Sequence, residues 1–223
     1  MPRSRQGRVL LTGEILNPAN SGYSGAYLHQ GLRYHEVVYR AEIISAILQS
    51  ANNVEGNRML FETADVYVDF TQSSDIDDLV GVYNSHPAFS RQHLNRTAVT
   101  RDWMVEEIKA TRNAGFWPCK VGQSTGHVIG LIDVHIDAET YLSLLMVHRS
   151  HANQRIGHQV YGALEAYARS HGSCSVRIDV VTGYDNRVLD FWVRNGFHVV
   201  EKITLEWHGA KLPAVTMRKA LAS

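Results

Sequence analysis

Arg149-Ser150-His151-Ala152-Asn153-Gln154-Arg155-Ile156-Gly157 is the stretch whose residue types and order could do chemistry. It is polar, carries two arginines and ends on glycine. Before it, residues 140–148 read TYLSLLMVH, an apolar run of strand length. After it, Val160, Leu164, Tyr167 and His171 recur at helical spacing, with Ala163 beside Leu164 and Gly172 placed to close the helix. A strand that turns into a helix presents backbone N–H groups with no intrahelical partner, at the positive end of the helix dipole. That is the chemistry of an anion site, suited to a phosphate or diphosphate, and Arg149 and Arg155 add charge there. The same pattern also describes an ordinary strand-to-helix connection that binds nothing, so the loop needs support from elsewhere in the chain.

Other residue types offer no second centre. Cys119 and Cys174 form no CxxC pair and read as reduced thiols of a cytoplasmic protein. His148, His151 and His158 are close in sequence but divide between strand, loop and helix, so no metal is expected. The formal net charge is zero, which argues against the basic face that nucleic acid requires. No apolar run reaches membrane-spanning length, and the arginines of residues 1–8 precede no signal-peptide core, so no membrane partner is expected.

The elements that must position the loop follow from periodicity. Residues 26–51 predict a long helix with Leu28, Leu32, His35, Tyr39, Ile43 and Ile47 on one stripe, widened by Val37, Ile44 and Leu48. Residues 52–57 read as a linker. Residues 1–60 are thus expected as an N-terminal extension and 65–223 as the main domain. The apolar excess of the helix suits packing on that domain and a homodimer contact.

Within the main domain, residues 66–70 predict a strand. Ser74 and Asp77 predict a cap for a helix carrying Ile76, Leu79, Val80 and Tyr83, which Pro87 ends. Residues 85–98 read as a long polar loop. Thr100 caps a second helix with Trp103, Met104, Ile108 and Thr111, stopped by Gly115. Residues 116–121 and 127–136 form a hairpin signal, and 137–139 turn the chain into the central strand. A strand at 175–182, a short helix at 186–195 closed by Gly196, and strands near 197–207 and 214–219 follow. The order β-α-α-β-β-β-α-β-α-β-β predicts an α/β (α+β) fold, a mixed and largely antiparallel sheet flanked by helices.

This order resembles that of the GNAT superfamily of acyl-CoA-dependent N-acetyltransferases over residues 66–221. Two segments carry the resemblance further. HANQRIG, residues 151–157, stands where the family has its pyrophosphate loop, Q/R-x-x-G-x-G/A. DNRVLDFWVRNGF, residues 185–197, resembles the family segment N-x-x-A-x-x-F-Y-x-x-x-G-F. The chain departs from the pattern at Ala152 (Gln or Arg in the family), Arg155 (the first Gly), Asp185 (Asn) and Trp192 (the Tyr many members use as general acid). Loss of that Gly restricts φ and is expected to alter how the loop wraps a diphosphate.

The resemblance implies direct transfer of an acetyl group from acetyl-CoA to a primary amine. It places Leu145, Met146 and Val147 along the pantetheine arm, and Asn153, Gln154, Arg155, Ile156, Gly157 and His158 at the diphosphate. Asn186 and Trp192 complete the cofactor set. Candidates for the general base are Glu139 at the start of the central strand, Asp179, and His148 at that strand's end, with Asp133 and His135 weighed beside them. Ser143 could polarise the site. Each carboxylate could instead be half of an ion pair, Asp179 with Arg177 above all. Tyr184 is the stand-in for the missing tyrosine acid. Tyr83, Phe89 and Trp103 are the acceptor-binding candidates, joined by His86, His93, Trp207 and His208. The acceptor is left open among a small metabolite, an antibiotic, a polyamine and a protein N-terminus. Trp192 and Arg155 also fit a non-catalytic acyl-CoA-binding module. A toxin-like acetyltransferase acting on charged tRNA is a third reading, which the neutral charge disfavours.

Overall fold

The computed structural model describes residues 59–221. The helix expected over residues 26–51 and its linker lie outside the described residues. The described elements are β1 (Phe61–Glu62), β2 (Val66–Phe70), α1 (Ile76–Asn84), α2 (Pro87–Leu94), α3 (Arg101–Asn113), β3 (Trp117–Gln123), β4 (Val128–His135), β5 (Glu139–Val147), α4 (Ile156–Ser170), β6 (Ser175–Val181), α5 (Asn186–Arg194), β7 (His198–Trp207) and β8 (Ala210–Ala220). The strands make one sheet in the order β1-β2-β3-β4-β5-β6-β8-β7. Every neighbouring pair is antiparallel except β5 with β6. The mixed, largely antiparallel sheet flanked by helices is the fold that periodicity predicts.

In the central strands both faces are apolar, and helices cover both. On one side, Val160, Leu164 and Trp192 of α4 and α5 pack on Val68, Cys119, Ile132, Leu142, Ile178 and Met217. On the other, Leu79, Val82, Met104 and Ile108 of α1 and α3 pack on Leu131, Leu144 and Met146.

Three local expectations are corrected. Ser74 and Asp77 do not cap α1, whose N-terminus has no side-chain cap; the capping pair is Gln72 with Asp75, on the 3-10 turn that leads into the helix. The Gln72 N–H donates to Asp75 Oδ2 at 2.7 Å across that turn, Ser73–Asp75. Pro87 does not end a helix into a long loop; it starts α2, at the first position where its missing N–H costs nothing. α2 ends at Asn95, in the left-handed region at φ 50°. Last, β8 begins at Ala210 rather than 214. A two-residue turn, His208 (φ 46°) and Gly209 (φ 79°), joins it to β7 in the left-handed geometry that tight hairpins favour. Pro213 does not break this strand. Its carbonyl accepts the Thr182 N–H at 2.9 Å, so its nitrogen faces the same side, where β6 has already ended.

Candidate active site

β5 and β6 run side by side but pair only from Glu139 to Tyr141 and from Ser175 to Arg177. Beyond Tyr141, β5 has no ladder partner on its β6 side. The cause lies in the next residues. Leu142 pairs with Val134 and Leu144 with Asp133, so Ser143 is an extra residue in β5. A bulge of this kind bends its strand and increases the local twist. The sheet therefore opens as a V with its vertex at Tyr141 and Arg177. Along one arm of the V, β5 offers unpaired backbone groups, which an extended ligand can satisfy.

The open end of the V leads to the loop. His148 caps a short 3-10 turn, Arg149–His151. Asn153 (φ 64°) and Arg155 (φ 61°) both adopt the left-handed conformation. The expected change in the loop at Arg155 is thus corrected: Arg155 takes up the glycine-type conformation, at a cost on the order of 1 kcal/mol. No side chain caps the first turn of α4. Ile156 buries its side chain in the core, at 5% exposure, and leaves its backbone at the helix tip. Gly157 and His158 continue that turn. His158 Nδ1 lies 2.7 Å from Asn195 Oδ1 and ties α4 to the end of α5. Gln154 Nε2 donates to the Ser150 carbonyl at 3.3 Å. Leu145 and Val147 are half-buried against the α4–α5 side and Met146 is buried on the other. Asn186 is exposed at the start of α5, which Asp185 caps by accepting the Arg187 N–H at 3.0 Å. Trp192 does not line the opening. Its ring is 7% exposed and packs edge-on to Tyr161 and Phe197, with centroids 5.6 and 5.3 Å away.

The carboxylates separate into two kinds. Glu139 accepts from Arg218 Nε at 2.8 Å and from Ser175 Oγ at 3.0 Å. Burial would raise its pKa, but the bonds from Arg218 and Ser175 prevail and hold it below the usual carboxylate range. Asp179 accepts from Tyr141 Oη (2.8 Å), Arg177 Nη2 (2.8 Å) and Thr216 Oγ1 (2.6 Å). Both brace the vertex: Asp179 is engaged by three side chains and Glu139 by Arg218 and Ser175, which is the ion-pair role rather than that of a general base. Asp133 is different. It is 4% exposed, sits opposite Leu144 beside the bulge, and has no hydrogen-bond partner among the described residues. Burial, and then the charge of Glu107, push it up to about 8. Glu107, on α3, is 8% exposed and has its Oε2 3.3 Å from His208 Nε2.

The remaining candidates fall around these groups. His148 Nδ1 accepts the Ser150 N–H at 3.2 Å, so its ring serves the loop. His135 Nδ1 donates to the Gly115 carbonyl at 2.8 Å and pins the end of α3 to the sheet. Tyr184 is half-buried with its ring edge-on to His93 at 5.3 Å; burial, then Asp185, push its phenol up. Tyr83 is corrected from acceptor-binding to core: it is 1% exposed between Phe89 and Trp103. Phe89 and Trp103 are half-buried. Phe89 stacks on His93 at 4.0 Å, and Trp103 lies under Arg96 and against His208. Burial, against the bond to the Phe89 carbonyl, pulls His93 down to about 4, so it stays neutral. His86 Nε2 donates to the Val147 carbonyl at 2.8 Å, tying the α1–α2 junction to the open end of the V.

Glu107 escaped the sequence reading, although a signal was present. Met104, Ile108 and Thr111 mark the buried stripe of α3, and position 107 falls on it. A carboxylate on an apolar stripe asks for a reason.

Comparison with known proteins adds to this geometry. A family model described as Acetyltransferase (GNAT) family matches residues 79–197, just over half of the 223 residues. Among curated proteins, none matches the sequence. Solved structures with a similar fold include an acetyltransferase from Thermus thermophilus, at 17% identity and TM-score 0.56, covering 70% of this chain and 97% of that one. The ribosomal-protein-alanine N-acetyltransferase from Brucella melitensis aligns at 16% identity and TM-score 0.53, over 69% and 99% of the two chains. YncA from Salmonella typhimurium, whose structure includes its cofactor acetyl-CoA, aligns at 18% and 0.52, over 72% and 96%. At such identities the likeness is one of fold. No described helix is long and apolar enough to cross a membrane.

Proposed function

The chain belongs to the GNAT acetyltransferase family, and from that premise we propose that it moves the acetyl group of acetyl-CoA directly onto a primary amine. The observation that carries this reading is the V between β5 and β6, with the uncapped tip of α4 beyond its open end. An unpaired strand edge suits an extended arm of amides, and a bare helix tip suits a diphosphate. Acetyl-CoA would supply a thioester, whose acyl carbon is open to attack by a neutral amine.

In this reading the N–H groups of Ile156, Gly157 and His158 hold the diphosphate. Asn153 and Gln154 shape the loop around it, and Arg149 and Arg155 lend charge. Of Leu145, Met146 and Val147, the first and last turn their N–H groups to the open edge, where the pantetheine arm would lie, while Met146 pairs with Leu131 of β4. The acceptor approaches over the opposite face, between Phe89, Trp103 and His208. Asp133 takes the ammonium proton, because a carboxyl poised near 8 is matched to that task close to neutral pH. The amine nitrogen then bonds to the acyl carbon and sheds its surplus proton to solvent as the carbon–sulfur bond breaks. In this reading backbone at the Ser143 bulge stabilises charge on the carbonyl oxygen, and Tyr184 returns a proton to the sulfur. Free Cys119 and Cys174 support a cytoplasmic setting.

The test is a panel of primary amines, with charged tRNA among them, incubated with acetyl-CoA while free thiol is followed. Acceptor-dependent release is the expected result. Thermal stabilisation by CoA without release on any acceptor would leave a binding module instead. No stabilisation at millimolar CoA would overturn the cofactor assignment itself.

A further inference from the structure

The vertex of the V carries a feature that the transfer reaction does not require. Tyr141 is the last residue of β5 to pair with β6, opposite Arg177. Its hydroxyl donates to Asp179 Oδ2 at 2.8 Å, two residues further along β6 than its own pairing partner. The ring therefore crosses the gap over the first step of the opening. It does so on the face that carries Asp133, since Tyr141 pairs with His135 and Leu144 with Asp133 across β4.

The ring is held on three sides. The Arg177 guanidinium lies 4.8 Å from its centroid, and Phe116 meets it edge-on at 5.3 Å. The carboxylate that binds its hydroxyl is itself fixed by Arg177 at 2.8 Å and Thr216 at 2.6 Å. One step behind, Arg218, Glu139 and Ser175 tie the strands shut. Swinging the ring aside would break a charge-assisted hydrogen bond to a carboxylate of 2% side-chain exposure.

On the reading proposed above, the diphosphate lies at the open end of the V, so the acyl group is the leading end of the cofactor and points to the vertex. We infer that Tyr141 is a stop for acyl length: its pinned ring leaves room for the two carbons of an acetyl group and turns longer acyl chains away. The residue sets specificity rather than moving protons.

The full chain is assayed with acetyl-, propionyl- and butyryl-CoA, and the affinity for each is measured separately by calorimetry. The wild type is expected to show kcat/KM at least 100-fold lower for butyryl-CoA than for acetyl-CoA, and weaker binding of butyryl-CoA. Tyr141→Leu and Tyr141→Ala, which shorten the stop, should bring that ratio below tenfold. Tyr141→Phe keeps the ring and should keep most of the discrimination. A wild type that accepts butyryl-CoA as well as acetyl-CoA overturns the inference, with no variant needed. A folded Leu or Ala variant that still rejects butyryl-CoA removes Tyr141 from the role. A protein that binds none of the three contradicts the transferase reading instead, so the two failures are distinct.

Discussion

Asp179 and Asp133 lie one strand to either side of β5, and both side chains are almost fully buried, yet they are opposite in character. Asp179 receives hydrogen bonds from a tyrosine, an arginine and a threonine. Asp133 receives none among the described residues and faces a second carboxylate, Glu107. Burial alone therefore does not mark a reactive acid. What matters is whether donors come with it: a buried carboxylate rich in donors is a brace, and one without them holds its proton and can exchange it near neutral pH.

Asp133→Asn should have the largest effect. If the comparison is right, turnover falls by about 10³-fold, within the range for loss of a general base, while CoA still stabilises the fold. The same change should alter stability with the opposite sign. Asp133 is raised from 3.8 to about 8 on folding, so its contribution is complete below about pH 4 and is lost as pH rises to about 8. The Asn variant should be the more stable protein at pH 8 and above, by on the order of a few kcal/mol. Melting temperatures across pH 5–9 check this; curves that stay parallel would place Asp133 with Asp179.

Asp179→Ala is the complementary case. It strips partners from Arg177, Tyr141 and Thr216 in a buried setting, and should cost about 3 kcal/mol in urea unfolding. A midpoint that does not move would mean that the vertex holds without its carboxylate. Glu107→Gln should act most gently, and on the pH profile through Asp133. Without the neighbouring charge, the rising limb of the activity–pH profile should move to lower pH. A limb that stays in place would show that Asp133 owes its raised pKa to burial alone.

Much of this architecture was legible in the residues, but not evenly. The strand, loop and helix from Thr140 to Gly172 show in apolar period and in one polar run, because both are local. α2 was hidden because a proline opens a helix as readily as it ends one. The bulge at Ser143 was hidden too: TYLSLLMV reads as plain strand, and only pairing with β4 reveals the extra residue. At the site, the loop was legible by position. Its conformation was not, since nothing in the letters shows that Arg155 would accept φ 61°. Of the partners that set Asp179 apart from Asp133, Arg177 stood in view two residues away; the other two lie 38 residues away on β5 and 37 away on β8.

The brevity of the β5–β6 ladder has a mechanical side. With three residue pairs between them, the two halves of the sheet are leaves on a short spine, and main-chain bonding cannot fix the angle at which they stand. That load passes to the layer beneath. Leu142 from one leaf and Ile178 and Val180 from the other belong to the same apolar cluster as Tyr161, Trp192 and Phe197. Trp192 meets Tyr161 and Phe197 edge to face, at 5.6 and 5.3 Å, and those two rings lie tilted to one another at 5.3 Å. The indole at position 192 is thus a strut under a hinge, and its bulk helps to keep the leaves apart.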